Sequence, residues 1–403
     1  MTDVRFDVRD PEFLASPYPT YAKLRKHDPV HRATVGAEDV WVVSRYADVH
    51  ALFKSPLARM RPPDAGSPAE LGDGPAARMW NGTMSMMDPP DHERLRRLVS
   101  KAFTRRRAQE MRPRIEQIVN EALDAVAEQG EMDVMSQFAL VVPMRVICGM
   151  LGIPEDDWSL LSSWTPDFLR MFMPSANTAE EMELCHRACQ NFIDYFSAQV
   201  DDRRAHPTDD FTTALAFAEE GGDRLTHDEL VSTLRGLLTA GFETTMSTIG
   251  GGVFCLIKQP DELERLRTRP ELMDGAVEEF LRWESPVQLQ IRYFADEVEV
   301  RGKRIGAGER TMLLMASANH DPERYADPER ADVGRENVEH MSFGGGIHHC
   351  CGAHLARLEV EVAIGTLIRR FDRFAFATDA FPRRPHFQFR PFERLPITFQ
   401  RAA

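Results

Sequence analysis

The sequence has little that would place the chain outside the ordinary globular class. Six cysteines, at 148, 185, 189, 255, 350 and 351 of 403 residues, show no disulfide-framework spacing, which excludes a small disulfide-stapled scaffold and fits a reducing compartment. Long apolar runs are missing. No stretch approaches the roughly 18 apolar residues that cross a bilayer, and the start, Met1 to Asp7, has no apolar core of signal-peptide length. A cytoplasmic location without a membrane anchor is therefore expected. Positive charge is scarce: 49 Lys and Arg against 63 Asp and Glu leave a net charge of −14, which argues against a nucleic-acid partner. There is no internal repeat, no low-complexity segment and no Gly/Ser linker, so one domain over residues 1–403 is expected. A Gly-rich nucleotide fingerprint is also absent, so nothing marks a dinucleotide or flavin domain.

What is present is mostly helical. Amphipathic patterns run near 91–107, 112–129, 136–150, 180–204, 227–258 and 271–283, and Pro19 to Lys26 reads as a short helix. Asp228 and Glu229, just after Thr226, signal a helix start. Val40 to Val43 reads as a strand, and Arg301-Gly302 between two short β runs, 298–300 and 303–305, reads as a hairpin turn. Pro- and Gly-rich residues 61–75 predict a long loop. The fold class is mainly α with a minor β part. One local exception to the acidic balance stands out. Arg94, Arg96, Arg97, Lys101, Arg105, Arg106, Arg107, Arg112 and Arg114 face Glu110 alone. Such a run suits docking of a small acidic partner, where a solvated helix face is the plainer alternative.

The most informative stretch is Phe343-Gly344-Gly345-Gly346-Ile347-His348-His349-Cys350-Cys351-Gly352, followed by an apolar helix through Leu358, Val360, Val362 and Ile364. A helix N-terminus offers free N–H groups and a positive dipole end, which are expected to favour a thiolate at Cys350 and make it a metal ligand. The glycines let backbone pass close to a flat ligand. Two His and two Cys in a row also raise zinc, but four consecutive residues cannot easily surround one ion tetrahedrally. This stretch closely resembles the haem-binding loop of the cytochrome P450 family. The resemblance implies the fold of that family, haem b between a long central helix and the cysteine loop, and Cys350 as axial thiolate. Gly346, His348 and Gly352 fall in register with that choice, while Cys351 departs from the family's usual apolar residue.

A second motif, Ala240-Gly241-Phe242-Glu243-Thr244, is odd for a helix interior, because an acid and an alcohol sit among apolar residues and Gly241 costs roughly 1 kcal/mol relative to Ala. The plain alternative is Thr244 bonding back one turn with Glu243 solvated. The motif resembles the family's oxygen-activation segment, which implies Ala240 and Gly241 against haem, Thr244 orienting water and dioxygen, and Glu243 relaying protons. A third, Glu279-Phe280-Leu281-Arg282, puts an acid and a base at i, i+3. It resembles the family's Glu-x-x-Arg helix, with Arg330 of Pro328-Glu329-Arg330 as the implied third partner and Ala331 where the family often has Phe. His92, Arg96, Arg292 and His348 match positions that hold the haem propionates, and Phe343 belongs to the haem loop.

The resemblance implies a monooxygenase that inserts one oxygen atom of O2 into a small organic substrate, by hydroxylation or epoxidation. Electrons would come from a ferredoxin and its NAD(P)H-dependent reductase. Met84, Met86, Phe168, Phe172, Leu237, Val287, Leu289 and Phe387 are expected to line a mostly apolar pocket suited to a terpenoid, polyketide or aromatic compound of secondary metabolism. Two alternatives remain open: a non-catalytic haem-binding sensor or carrier, and a peroxide-dependent or isomerising member, against both of which the Glu243–Thr244 pair speaks.

Overall fold

The longest element is the helix His227–Lys258, whose 32 residues span roughly 48 Å. Its start follows the sequence signal. The Thr226 hydroxyl accepts from the Glu229 amide while the Glu229 carboxylate accepts from the Thr226 amide, a capping box that satisfies two otherwise free donors. Its second half carries Gly250, Gly251 and Gly252, where a Cβ would strike Met135, Glu284 and Ile364 respectively. The missing side chains let three other elements close on this central helix, which is buried along most of its length.

The chain is described over residues 4–36, 38–62, 66–100, 104–220 and 223–402 of a computed structural model. Around the central helix pack Val141–Leu151, Ala179–Ala205, Met273–Trp283 and Ala353–Arg370. Two apolar clusters flank it. One gathers Ile115, Phe138, Ile249, Phe280 and Ile364. The other gathers Leu95, Cys148, Phe168, Cys185 and Phe242. All six cysteines are free, and Cys185 and Cys189 are buried packing residues.

The β part is small. A five-stranded sheet runs in the order Val30–Val35, Glu38–Val43, Thr311–Leu313, Gln290–Phe294, Ala58–Arg59. Thr311 pairs with Trp41 in parallel and with Arg292 in antiparallel register. This register places Arg292 in the central part of the sheet, beside the cavity described below. The 298–305 hairpin forms as its turn chemistry predicts, with Arg301 and Gly302 at φ 52° and 74°.

Three sequence expectations shift. The pattern 91–107 is two helices, Asp91–Ser100 and Arg105–Glu110, with Lys101 outside the described residues. The pattern 136–150 opens with a π turn at Met135–Ala139 before Val141–Leu151. Within the 61–75 loop, Ala69–Leu71 forms a 3-10 turn. No helix among the described residues is long and apolar enough to cross a membrane.

Candidate functional site

The loop before Ala353–Arg370 turns twice through left-handed glycines, Gly344 at φ 67° and Gly346 at φ 63°. A Cβ at Gly346 would also strike the Phe53 carbonyl. Glycine is therefore required here by backbone conformation and by packing on Phe53. The turn is closed by the Cys350 amide, which donates to the Phe343 carbonyl at 3.0 Å. Arg357 lies over the Phe343 ring at 4.5 Å and forks onto Glu278. The loop is thus tied to both neighbouring helices.

Cys350 is accessible at its surface yet ringed by enough protein that burial pushes its thiol up to about 12. The Gly352 amide pulls the other way and loses. The pull of the helix end that the sequence argument invoked is thus opposed by desolvation in the polypeptide alone, a balance that a bound cation would shift toward the thiolate. Among the described residues no three His, Cys, Asp or Glu side chains gather as a metal cluster, so the four consecutive His and Cys do not form a zinc cage.

The second element is the middle of the central helix. Ala240, Glu243 and Thr244 line a cavity of about 230 Å³ that also receives Arg292 and His348. The Thr244 hydroxyl donates to the Ala240 carbonyl at 2.8 Å, one turn back. Glu243 is buried and ion-paired with Arg384 from the C-terminal loop, so it is not a solvated acid. Burial raises its carboxyl above the ordinary range, and Arg384 only partly offsets this. Gly241 faces elsewhere. A Cβ there would meet Ile147 at 3.0 Å, so the missing side chain serves close packing on the Val141–Leu151 helix.

His92, Arg96, Arg292 and His348 converge. The two imidazoles lie 4.1 Å apart, and His92 Nδ1 and His348 Nε2 are buried without hydrogen-bond partners. Arg292 is 2% exposed and donates only to the Ile291 carbonyl and the Gln290 amide oxygen. Burial, then the neighbouring cations, brings His348 down to about 2, and burial lowers Arg292 to about 10. Arg96 donates to the His349 carbonyl at 2.8 Å, beside Cys350. Buried donors crowded together with unpartnered atoms fit a group that brings its own carboxylates.

The Glu279–Arg282 pair is no surface bridge. Both side chains are fully buried and doubly bonded at 2.7 Å. The expected third partner is corrected: the Arg330 guanidinium pairs with Glu262, and only its carbonyl accepts from Arg282. Arg335 takes the place instead, 3.1 Å from Glu279, because the chain turns at 332–335 and Glu279 also accepts from the Asp332 amide. Asn319 extends the network: its carbonyl accepts from Arg282, its side-chain oxygen accepts from the Met341 amide, and its side-chain nitrogen donates to Ser342. The buried charges thereby fix the segment that leads into the cysteine loop.

Of the expected pocket residues, Met86, Phe172 and Val287 line the cavity. Leu289 and Phe387 do not. They pack with Met312 and Leu314 in a separate cluster, because the chain leaves the Val287–Phe389 bridge at the cavity wall and runs on against the sheet that holds Met312. Leu237 falls off the face carrying Gly236, Ala240 and Thr244, while Phe168 lies behind the wall and Met84 packs outside it. Sequence reasoning missed Ile291, Phe389 and Arg235. The fourfold spacing of 236, 240 and 244 was the signal available for the helix face.

The family profile described as Cytochrome P450 matches residues 16–269 and 267–389. The chain is 38% identical over 396 residues to a vitamin D(3) 25-hydroxylase of Pseudonocardia autotrophica, covering 97% of this chain and 96% of that one. It is 37% identical to the 6-deoxyerythronolide B hydroxylase of Saccharopolyspora erythraea, with 93% of each chain covered. Among solved structures it is similar to P450BioI in complex with hexadec-9Z-enoic acid ligated acyl carrier protein, with TM-score 0.91, 34% identity, and coverage of 96% and 99%. With the helix-rich architecture, the cysteine loop and matches across nearly its whole length, the chain belongs to the cytochrome P450 family and is a monooxygenase of it.

Proposed function

We propose that this monooxygenase binds haem b through Cys350 and oxidises a mostly apolar small molecule with electrons from a ferredoxin. Glu243 and Thr244 line the same cavity as Arg292 and His348 of the cofactor-facing side, and that juxtaposition carries the reading. His92, Arg96, Arg292 and His348 would hold the two propionates, with Cys350 on the iron and Phe343 in the supporting loop. Bound there, haem supplies the activation of dioxygen.

The chain's own groups manage protons and water. The Thr244 hydroxyl, spent as a donor on the Ala240 carbonyl, leaves its oxygen to accept from a water in the cavity. Glu243, whose carboxyl is raised by burial, can carry a proton nearer neutral pH than an exposed glutamate. Arg384 is more exposed and ties it to the outside of the site. Met86, Leu169, Phe172 and Phe389 keep the space apolar and exclude loose water.

The ferredoxin would dock on the exposed part of the basic run, Arg97 and Arg105 to Arg107. Arg94 and Arg112 are already engaged, with Glu229 and Glu361. In turnover with NAD(P)H, a ferredoxin and its reductase, product should carry one atom from labelled O2, and Thr244→Ala should bind the same substrate yet divert electrons to peroxide. Unchanged coupling in that variant would remove Thr244 from the mechanism. The absence of both product and substrate-linked oxygen uptake with every compound that shifts the haem spectrum would favour the sensor or carrier reading.

A further inference from the structure

Three arginines line the cavity: Arg235, Arg292 and Arg310. Two have employment. Arg310 is ion-paired with Glu38 and donates to Ser175. Arg292 stands with His92 and His348 on the side assigned to the propionates. Arg235 has no such account. It is 1% exposed. It donates to the Thr83 hydroxyl at 2.5 Å and to the Met79 sulfur at 3.4 Å, and its guanidinium carbon lies 4.3 Å over the Phe168 ring. None of these is an anion, and among the described residues no carboxylate pairs with it.

A buried arginine keeps its charge. Burial lowers this one only to about 10, so it is a cation at neutral pH. Removing a cation from water without a counter-charge is costly, and a hydroxyl, a thioether and a ring recover part of that cost. A partner would have to come from the cavity. The way is open on that side: a Cβ at Gly236 would meet nothing within 4 Å, and Thr83 and Thr239 add hydroxyls at the same end.

Resting on the monooxygenase reading above, we propose that Arg235 is the counter-ion for a carboxylate on the substrate. The substrate is then an apolar acid held by its head, with oxidation at a remote carbon. A guanidinium offers a flat fork that matches a carboxylate in two parallel hydrogen bonds. One unpaired cation matches one negative charge. A phosphate monoester carries closer to two and would leave the surplus in a cavity that already holds the Glu243 carboxyl. Arg235 and Thr244 are nine residues apart on one helix, roughly 13 Å along its axis, so an acid gripped at one end presents its far carbons toward the oxygen-activating end. A carrier-bound acyl thioester has no free carboxylate and would leave Arg235 unpaired.

The test uses the haem-loaded protein with dodecanoic acid and methyl dodecanoate as probes. Binding is followed by the ferric spin-state shift and, independently of the haem signal, by calorimetry. The wild type should bind the acid about 10- to 100-fold more tightly than the ester, the scale of a hydrogen bond to a charged group. Arg235→Met should abolish that preference by weakening the acid alone, and Arg235→Lys should restore part of it. An ester bound as tightly as the acid by the wild type, or a preference that survives Arg235→Met, overturns the proposal and leaves Arg235 a packing residue on Phe168. If neither variant loads haem, the wild-type ratio still decides. Failure to oxygenate either probe, with the ratio intact, counts against the monooxygenase reading and not against the anion subsite.

Discussion

Arg384, on the C-terminal loop, is ion-paired with Glu243 in the middle of the central helix. The two residues lie 141 positions apart, and the contact links the buried acid of the cavity to a side chain that reaches the surface. The Glu243 carboxyl is held between burial, which raises its pKa, and Arg384, which lowers it.

Arg384→Met should therefore move the Glu243 titration further up. In a pH profile of coupled turnover, the limb belonging to Glu243 should shift to higher pH in this variant and vanish in Glu243→Gln. A profile unmoved by Arg384→Met would mean that Glu243 does not titrate in the proton path. Removing a positioned proton donor costs on the order of 100-fold in rate, so Glu243→Gln should fall on that scale.

The buried network around Glu279 makes a graded prediction. Arg282→Ala leaves a fully buried carboxylate without its fork and should cost about 3–5 kcal/mol, enough to lose haem loading along with stability. Arg335→Ala should be intermediate, since the Asp332 amide still reaches Glu279. Arg330→Ala should be the mildest, because its guanidinium serves Glu262. Thermal melts of the three variants check the order, and a loss for Arg330 as severe as for Arg282 would contradict it.

The basic surface separates in the same way. Arg106→Glu with Arg107→Glu should slow reduction by ferredoxin and flatten its salt dependence, since steering between exposed charges is screened over about 8 Å at physiological salt. Substrate affinity should not move. Stopped-flow reduction at low salt equal to wild type would leave the run a solvated face, in which Arg106 already pairs with Glu110.

Glu359, on the cysteine helix, is buried with Oε2 unpartnered, and burial alone holds its pKa well above the ordinary value. The folded state thus keeps a proton that the unfolded chain releases near pH 4.3. Stability should fall as pH rises from there toward the folded pKa. Glu359→Gln should remove that fall and be the more stable protein at neutral pH. Equal pH slopes of Tm for the two proteins would show that Glu359 has found a partner.

How much was legible in the sequence follows from what each residue depends on. The capping box at Thr226 and the turn at Arg301-Gly302 are local chemistry and formed as expected. The convergence of His92, Arg292 and His348 was legible through the family resemblance. Arg330 was misassigned because the third partner of Glu279 is chosen by how the 328–335 segment turns, which no periodicity records. Leu289 and Phe387 were misplaced because where the chain leaves the Val287–Phe389 bridge for the Met312 and Leu314 cluster is set by tertiary packing, which no sequence period records. Arg235 was invisible, because an arginine in a helix pattern reads as solvent-facing until the packing of Phe168 and Met79 around it is known.

The central claim is that Cys350 delivers the thiolate to haem, and the spectrum of the reduced carbon monoxide complex tests it most directly. Burial raises the Cys350 thiol in the polypeptide alone, and the thiolate signature reports the sulfur bound to iron. Cys351→Ser should keep that signature and Cys350→Ser should lose it. The reverse outcome, with the signal following Cys351, would contradict the register of the loop and the account built on it.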